Sequence, residues 1–339
     1  MRTADFDFDL PPELIAQTPA EPRDASRLLV LRRSARAIEH HCFRDLPELL
    51  NAGDLLVVND TRVMAARLFG VRPDTGGRVE ILLVRPLTDL RWEVLFRPAR
   101  QASPGRQFVF EAHDGALSAT VASRSEGAVV LEFGRPFDPA SAGSVPLPPY
   151  IKHFHGDPER YQTVYGHDPR SAAAPTAGLH FTPELLGRLE ARGIDRVAVT
   201  LDVGPGTFRP VTVDDPREHQ LHAEHITVPA DSAAAVSQAK RDGRRVVAVG
   251  TTVVRTLEHV AREQGAVVAY DGWTSLKILP GDGFNVVDAL ITNFHLPRST
   301  LLMLVCAFAG RDFVMGAYRE AVAEGYRFYS FGDAMLILP

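Results

Sequence analysis

The chain has 339 residues, 45% of them hydrophobic and 23% charged, with a net charge of −5 from 37 basic and 42 acidic residues and only two cysteines, Cys42 and Cys306. The length predicts two domains rather than one core, and the composition is that of a globular protein. The cysteine count excludes a disulfide scaffold and a four-cysteine zinc site, and the acid excess excludes a general nucleic-acid coat.

The amino terminus, Met1–Arg2–Thr3–Ala4–Asp5, carries acid early and no apolar stretch, so it does not read as a secretory signal. Residues 1–62 mix helix and strand: a helical turn over 47–50, then a strand over 54–58 that ends at Asn59–Asp60–Thr61–Arg62. Over 65–133 only short strands are predicted, at 65–71, 78–84, 92–97, 107–111, 117–122 and 128–133, separated by turn signals such as Asp74–Thr75–Gly76–Gly77 and His113–Asp114–Gly115. Trp92, Val94 and Phe96 alternate with the residues between them, the period of a strand with one buried face. Such spacing predicts a small barrel or sandwich. Residues 135–149, rich in Pro, Ala, Ser and Gly, read as a stiff linker.

Helix and strand then alternate. Helices are expected at 183–192, 232–241, 252–264, 299–309 and 312–324, and strands at 195–203, 245–249, 274–279, 286–292 and 335–338. In the helix at 252–264, Val253, Leu257, Val260 and Ala261 form the apolar face, with Arg255, Glu258 and Arg262 opposite. The longest apolar run, 301–309, is too short to span a bilayer. The fold class expected is α/β: a main domain of 1–62 plus 150–339, interrupted by an inserted all-β barrel over 63–149. With the two cysteines read as core residues, a reducing, cytoplasmic setting without membrane association is expected.

Four corners in the second half of the chain point to one composite site. Thr176 and Gly178 lie in a small-residue loop with His180, directly before a helix that Thr182 can cap. Gly204–Pro205–Gly206–Thr207–Phe208 is a rigid loop that lets a planar ligand approach the backbone, with Phe208 able to stack. Gly250–Thr251–Thr252 joins a strand to a helix and suits a carboxylate or phosphate, but it lacks the lysine of a P-loop and the three-glycine spacing of a dinucleotide fingerprint. His295–Leu296–Pro297–Arg298–Ser299–Thr300 leads into an apolar helix, with Arg298 beside its start; no Gly-x-Ser-x-Gly elbow occurs. His219, His222, Glu224 and His225 cluster as zinc ligands would, yet their spacing matches no standard zinc motif, and acid–base work or hydrogen bonding to a ligand is the better reading. Any RNA partner needs a local basic patch, for which the arginines and histidines of 85–106, 152–155 and 298–319 are candidates.

Taken together these segments resemble the S-adenosylmethionine:tRNA ribosyltransferase-isomerases of queuosine biosynthesis, the QueA family. The likeness runs nearly end to end, through 5–8, 14–17, 22–28, 56–62, 77–80, 147–151, 159–165, 173–182, 204–210, 222–224, 249–252, 288–310 and 331–336. It implies the same fold, an α/β domain with an inserted β-barrel. It implies a monomer, no metal, and S-adenosylmethionine as co-substrate and ribosyl donor. The implied acceptor is 7-aminomethyl-7-deazaguanine at the wobble position of a tRNA with a GUN anticodon, giving epoxyqueuosine with release of adenine and methionine. In that chemistry the sulfonium acidifies the neighbouring ribose carbon, a base generates an ylide, adenine leaves, the acceptor amine adds, and the ylide closes an epoxide as methionine departs.

The resemblance assigns proton transfer to His180, Glu224 and His295, with Asp202 also in the catalytic set. Thr251, Thr252 and Arg298, with Gly250, would hold anionic groups. Gly204, Gly206, Thr207 and Phe208 would receive a flat base, and Asn59, Asp60, Thr61 and Arg62 would contact sugar or RNA. Thr176, Gly178 and His222 complete the expected substrate contacts. The chain departs from the family pattern at Asp202, where histidine is usual, at Leu221 and Val253, and around Lys277. Two rival readings stay open here: an enzyme of the same scaffold acting on a small nucleoside, and a noncatalytic RNA-binding relative.

Overall fold

The computed structural model describes residues 1–125, 128–204 and 211–339. It divides into two compact units, Met1–Thr61 with Pro149–Asp168 and Ala174–Pro339, and Arg62–Pro148 with Pro169–Ala173. In chain order the strands are β1 (Arg27–Arg32), β2 (Ala37–Cys42), β3 (Leu55–Asn59), β4 (Thr61–Val63), β5 (Arg67–Val71), β6 (Arg78–Pro86), β7 (Arg91–Arg97), β8 (Gln107–Phe110), β9 (Leu117–Ser125) and β10 (Ala128–Phe133). They continue with β11 (Asp168–Ser171), β12 (Asp195–Leu201), β13 (Glu224–Val228), β14 (Val246–Val249), β15 (Tyr270–Thr274), β16 (Ala289–Asn293) and β17 (Ala334–Leu338). The helices are α1 (Leu46–Leu49), α2 (Pro139–Ala142), α3 (Pro183–Ala191), α4 (Ala230–Arg241), α5 (Thr251–Gln264), α6 (Thr300–Ala309) and α7 (Arg311–Ala323).

The larger unit is an α/β structure around a nine-stranded sheet ordered β15-β13-β12-β3-β14-β16-β17-β1-β2. Its central strands β3 and β14 are buried throughout and apolar but for Asn59 at the end of β3, as expected of strands covered on both faces. One core layer joins Leu28, Val58, Phe181, Leu185, Val249 and Ile291, which brings α3 onto the sheet. Thr182 caps that helix as its sequence predicts, accepting from the Leu185 N–H at 3.1 Å. The smaller unit is a closed antiparallel barrel, β10-β7-β6-β5-β8-β9. Inward residues of alternating strands, among them Ile81, Val94, Phe108 and Leu131, fill it.

Two expectations change, and one face of a helix is more buried than its charges suggest. Residues 135–149 are not a bare linker: they contain α2, and Phe137 and Ala142 rest against the barrel core, with Phe137 4.6 Å from Phe133 between ring centroids. The strand expected over 274–279 lies earlier, at β15, where Tyr270–Thr274 pairs with β13. In α5 two of the charged residues opposite the apolar face, Arg255 and Glu258, are buried as well, 5% and 0% exposed. Among the described residues no single helix is long and apolar enough to cross a membrane; the apolar α6 bends by 116° into α7.

Candidate functional site

Four parallel strands, β12, β3, β14 and β16, lie side by side. Their carboxyl ends therefore line one edge of the sheet, the edge at which open α/β sheets ordinarily take ligands. Antiparallel β13 starts at that edge with Glu224, and β17 starts there opposite Asn293. Parallel pairing of β1 with β17 brings Ser26, the residue before β1, to the same edge. This is why corners far apart in sequence meet.

Two adjoining cavities open along the edge and share Leu301 as a wall. The wider one, about 350 Å³, has Gly204, His222 and Glu224 in its lining together with Arg255 and Lys277. Glu224 forms a buried ion pair with Arg255 through Oε2 and accepts the Gly204 N–H at 3.0 Å through Oε1. Arg255 also donates from Nε to the Leu276 carbonyl at 2.9 Å, while its Nη2 is buried with no partner among the described residues. Lys277 donates to three carbonyls, of Pro216, Arg217 and His219, at 2.6–2.8 Å, and so holds the loop that carries His219 and His222. Burial first, then the nearby charges of Lys277 and His222, draws the His219 pKa down.

The narrower cavity, about 70 Å³, is lined by Thr176, Gly250, Thr251, Thr252 and His295, and by the rings of Tyr150 and Tyr329. Those rings lie 4.7 Å apart between centroids. Gly250, at φ 96°, starts α5 in a conformation that side chains disfavour. Tyr329 holds φ 72° without being glycine, local strain of the kind that collects at binding sites. The Tyr150 hydroxyl bonds Ser330 Oγ at 2.6 Å, and burial raises its pKa to about 12. His295 bonds Thr292 Oγ1 through Nε2 at 2.8 Å, and desolvation lowers its pKa to about 3. It is a neutral ring at physiological pH.

His180 lines neither cavity. It is 4% exposed, stacked on Phe43 at 4.9 Å, with both ring nitrogens engaged. The Asn293 Nδ2 donates to the Tyr329 carbonyl at 3.1 Å, which fixes the amide orientation, and the same Nδ2 faces His180 Nε2 at 3.2 Å. Nε2 must therefore accept, so Nδ1 carries the proton and donates to Ser26 Oγ at 2.7 Å. Burial, then the charges of Arg327 and Arg23, depresses the His180 pKa to about 3, which matches this neutral tautomer. The amide's other end, Asn293 Oδ1, is a buried acceptor with no partner among the described residues, on a residue that lines the narrow cavity.

Several expected contacts have other partners. Asn59 is satisfied internally: Nδ2 donates to the Leu201 carbonyl at 3.0 Å and Thr252 Oγ1 at 3.3 Å, and Oδ1 accepts from the Thr61 and Leu201 N–H groups at 3.1 Å. Asp60 accepts from the Thr200 hydroxyl at 2.7 Å and His167 at 3.1 Å. Asp202 accepts the Thr61 hydroxyl at 2.9 Å, and Arg298 is paired with Asp7 at 2.7 Å; neither lines a cavity. Gly178 is needed for packing, since a Cβ there would meet the Tyr165 hydroxyl. Arg62 belongs to the barrel unit. Gly206, Thr207 and Phe208 lie outside the described residues. The histidine cluster separates: Glu224 turns to Arg255, whereas His225 faces Asp271 at 3.2 Å, the alternation of neighbours on a strand. Among the described residues no three metal-ligating side chains converge.

The sequence reading missed Asn293, Arg255, Tyr150 and Tyr329. Asn293 ends an apolar strand and Arg255 sits on a helix face that looks solvated, so pattern alone hides both.

The family model described as "Queuosine biosynthesis protein" matches residues 3–337. The chain is 57% identical to an S-adenosylmethionine:tRNA ribosyltransferase-isomerase of Symbiobacterium thermophilum and 54% identical to one of Moorella thermoacetica, in each case covering 100% of both chains. It is similar to the crystal structure of S-adenosylmethionine tRNA ribosyltransferase from Thermotoga maritima, with TM-score 0.58 and 43% identity, covering 98% of this chain and 100% of that one.

Proposed function

The chain belongs to the queuosine biosynthesis protein family, and from that premise we propose that it is an S-adenosylmethionine:tRNA ribosyltransferase-isomerase. S-Adenosylmethionine is the ribosyl donor. The acceptor is the aminomethyl group of a 7-deazaguanine at the wobble position of a tRNA with a GUN anticodon, and the enzyme works as a cytoplasmic monomer. The observation that carries this reading is the pair of adjoining cavities at the strand ends, whose chemistry divides as the donor's does. The narrow one offers two tyrosine rings and neutral hydrogen-bonding groups, which suit adenine. The wide one offers a carboxylate and a guanidinium side by side, which suit an ammonium and a carboxylate on one carbon.

On this reading Asn293 Oδ1 accepts a hydrogen bond from the nucleoside, and Ser26 and His180 hold Asn293 in place. Of the expected proton-transfer set, His295 lines the narrow cavity beside the adenine seat and takes that role, while Glu224, in the wide cavity with Arg255, binds the amino-acid end. Thr251 and Thr252 sit at the amino end of α5, where N–H groups meet developing negative charge on the departing fragments. The wobble base must leave its stack to reach such a site.

The test incubates the protein with S-adenosylmethionine and tRNA carrying the deazaguanine amine, following free adenine and the mass of the modified nucleoside. Adenine release with an epoxyqueuosine mass in the tRNA is expected. Release only with the free nucleoside identifies a small-molecule enzyme, and binding without release identifies a noncatalytic RNA binder; either outcome overturns the reading. The relatives' names, over full-length matches, favour tRNA.

A further inference from the structure

The chain is acidic as a whole, but its barrel is not. From Arg62 to Pro148 there are eleven arginines, no lysine and nine acidic residues. The antiparallel order of the closed barrel alternates strand directions, so the β5–β6 and β7–β8 connections and the end of β9 gather at one end. The opposite end is where the chain enters β5 and leaves β10. At the gathered end lie Arg78 opening β6, Arg97 closing β7, Arg100 and Arg106 in the β7–β8 connection, and Arg124 near the end of β9.

Elsewhere on the barrel arginines are matched with acids: Arg67 with Glu80, Arg85 with Glu93, Arg91 with Glu132 and Arg135 with Asp114. The gathered end holds one such pair, Arg72 with Asp74 in the β5–β6 connection. At the gathered end Arg78, Arg97, Arg100 and Arg124 are exposed and form no ion pair among the described residues; Glu80, across the β6–β7 pair from Arg97, is taken by Arg67. Phe69, 63% exposed, stands on β5 two residues before Val71, the cross-strand partner of Arg78. A ring of unmatched guanidinium groups flanked by one exposed aromatic has the chemistry of a single-stranded or loop RNA contact: charge for phosphates and a face for a base.

We propose that this arginine rim docks the RNA backbone of the substrate. The proposal rests on the reading that the substrate is a tRNA. It concerns the phosphates, so it adds affinity and steering without base specificity.

The test compares full-length wild type with the triple variant Arg78→Ser/Arg97→Ser/Arg100→Ser. Fluorescence anisotropy with a tRNA transcript bearing a GUN anticodon is measured across about 50–200 mM salt. The variant is expected to bind about 10-fold more weakly, with the slope of log affinity against log salt reduced by about 2. In turnover its KM for tRNA rises while kcat and the KM for S-adenosylmethionine hold. The matching Arg→Lys triple keeps the charge and should restore binding to within about 2-fold, which separates lost charge from lost fold. An unchanged slope and affinity in the serine triple overturns the proposal, whether or not the wild type turns over. Absence of wild-type turnover with normal, salt-dependent binding strikes the enzymatic reading instead.

Discussion

His180 shows how far a residue's role depends on what surrounds it. A histidine beside a helix start in a small-residue loop looks like an acid–base group, but a buried ring with Nδ1 donating to Ser26 and Nε2 accepting from Asn293 has no lone pair or proton to give a substrate. Its contribution is to hold Asn293 so that Oδ1 stays unpaired. Asn293→Ala should therefore raise the KM for S-adenosylmethionine about 10-fold, the loss of one hydrogen bond worth about 1.4 kcal/mol, with a smaller change in kcat. His180→Phe should show the same KM effect in weaker form and leave the pH dependence of kcat/KM where it was. Disappearance of one limb of that profile would make His180 a proton carrier after all. Of the expected residues that reached the cavities, Thr176, Gly204, Gly250, Thr251, Thr252 and His295 follow strand ends or start helices, and His222 and Glu224 lead into a strand, positions that sequence marks well. Those that did not, such as Asn59 and Arg298, have short-range or long-range partners that a sequence does not display.

Helix α5 was half legible in the sequence. Its apolar stripe was legible from the 3.6-residue period, and its start at Gly250–Thr251 from the strand–glycine–threonine order. What the opposite, charged face does was not legible. Three charged residues on it, Arg255, Glu258 and Arg262, hold an irregular segment by its backbone: Arg255 takes the Leu276 carbonyl, Arg262 the Gly283 carbonyl, and Glu258 the N–H groups of Asn285, Val286 and Val287. A charge pattern cannot distinguish water from backbone as the partner, and the segment's lack of regular structure explains why the neighbouring strand was placed several residues late. Since Glu258 is fully buried and satisfies three donors, Glu258→Ala should cost about 3 kcal/mol in urea unfolding. A loss below about 0.5 kcal/mol would return that face to solvent.

At the scale of the whole molecule, fold class was legible because composition changes along the chain: alternating helices and strands on either side of a run of short strands. The site was legible only as a set of corners, since their meeting depends on strand order, and the order β12-β3-β14-β16 is not written in any local pattern. The same burial that shapes the site makes stability depend on pH. His180 and His295 have folded pKa values lowered to about 3 by desolvation, against an ordinary value of 6.5. The unfolded chain then binds more protons between those limits, so their contribution is complete above about pH 6.5 and is lost as pH falls toward 3. The thermal midpoint should drop steadily from pH 7 to pH 4.5, less so in His180→Gln, and equal pH dependence in the two proteins would contradict the neutral, buried ring. If the two cavities at the strand ends seat the ribosyl donor, a crystal structure of the protein with S-adenosylhomocysteine will show it. The adenine is expected against Tyr150 and Tyr329 and the amino-acid end between Glu224 and Arg255; ligand density elsewhere, with both cavities empty, would rule this seating out.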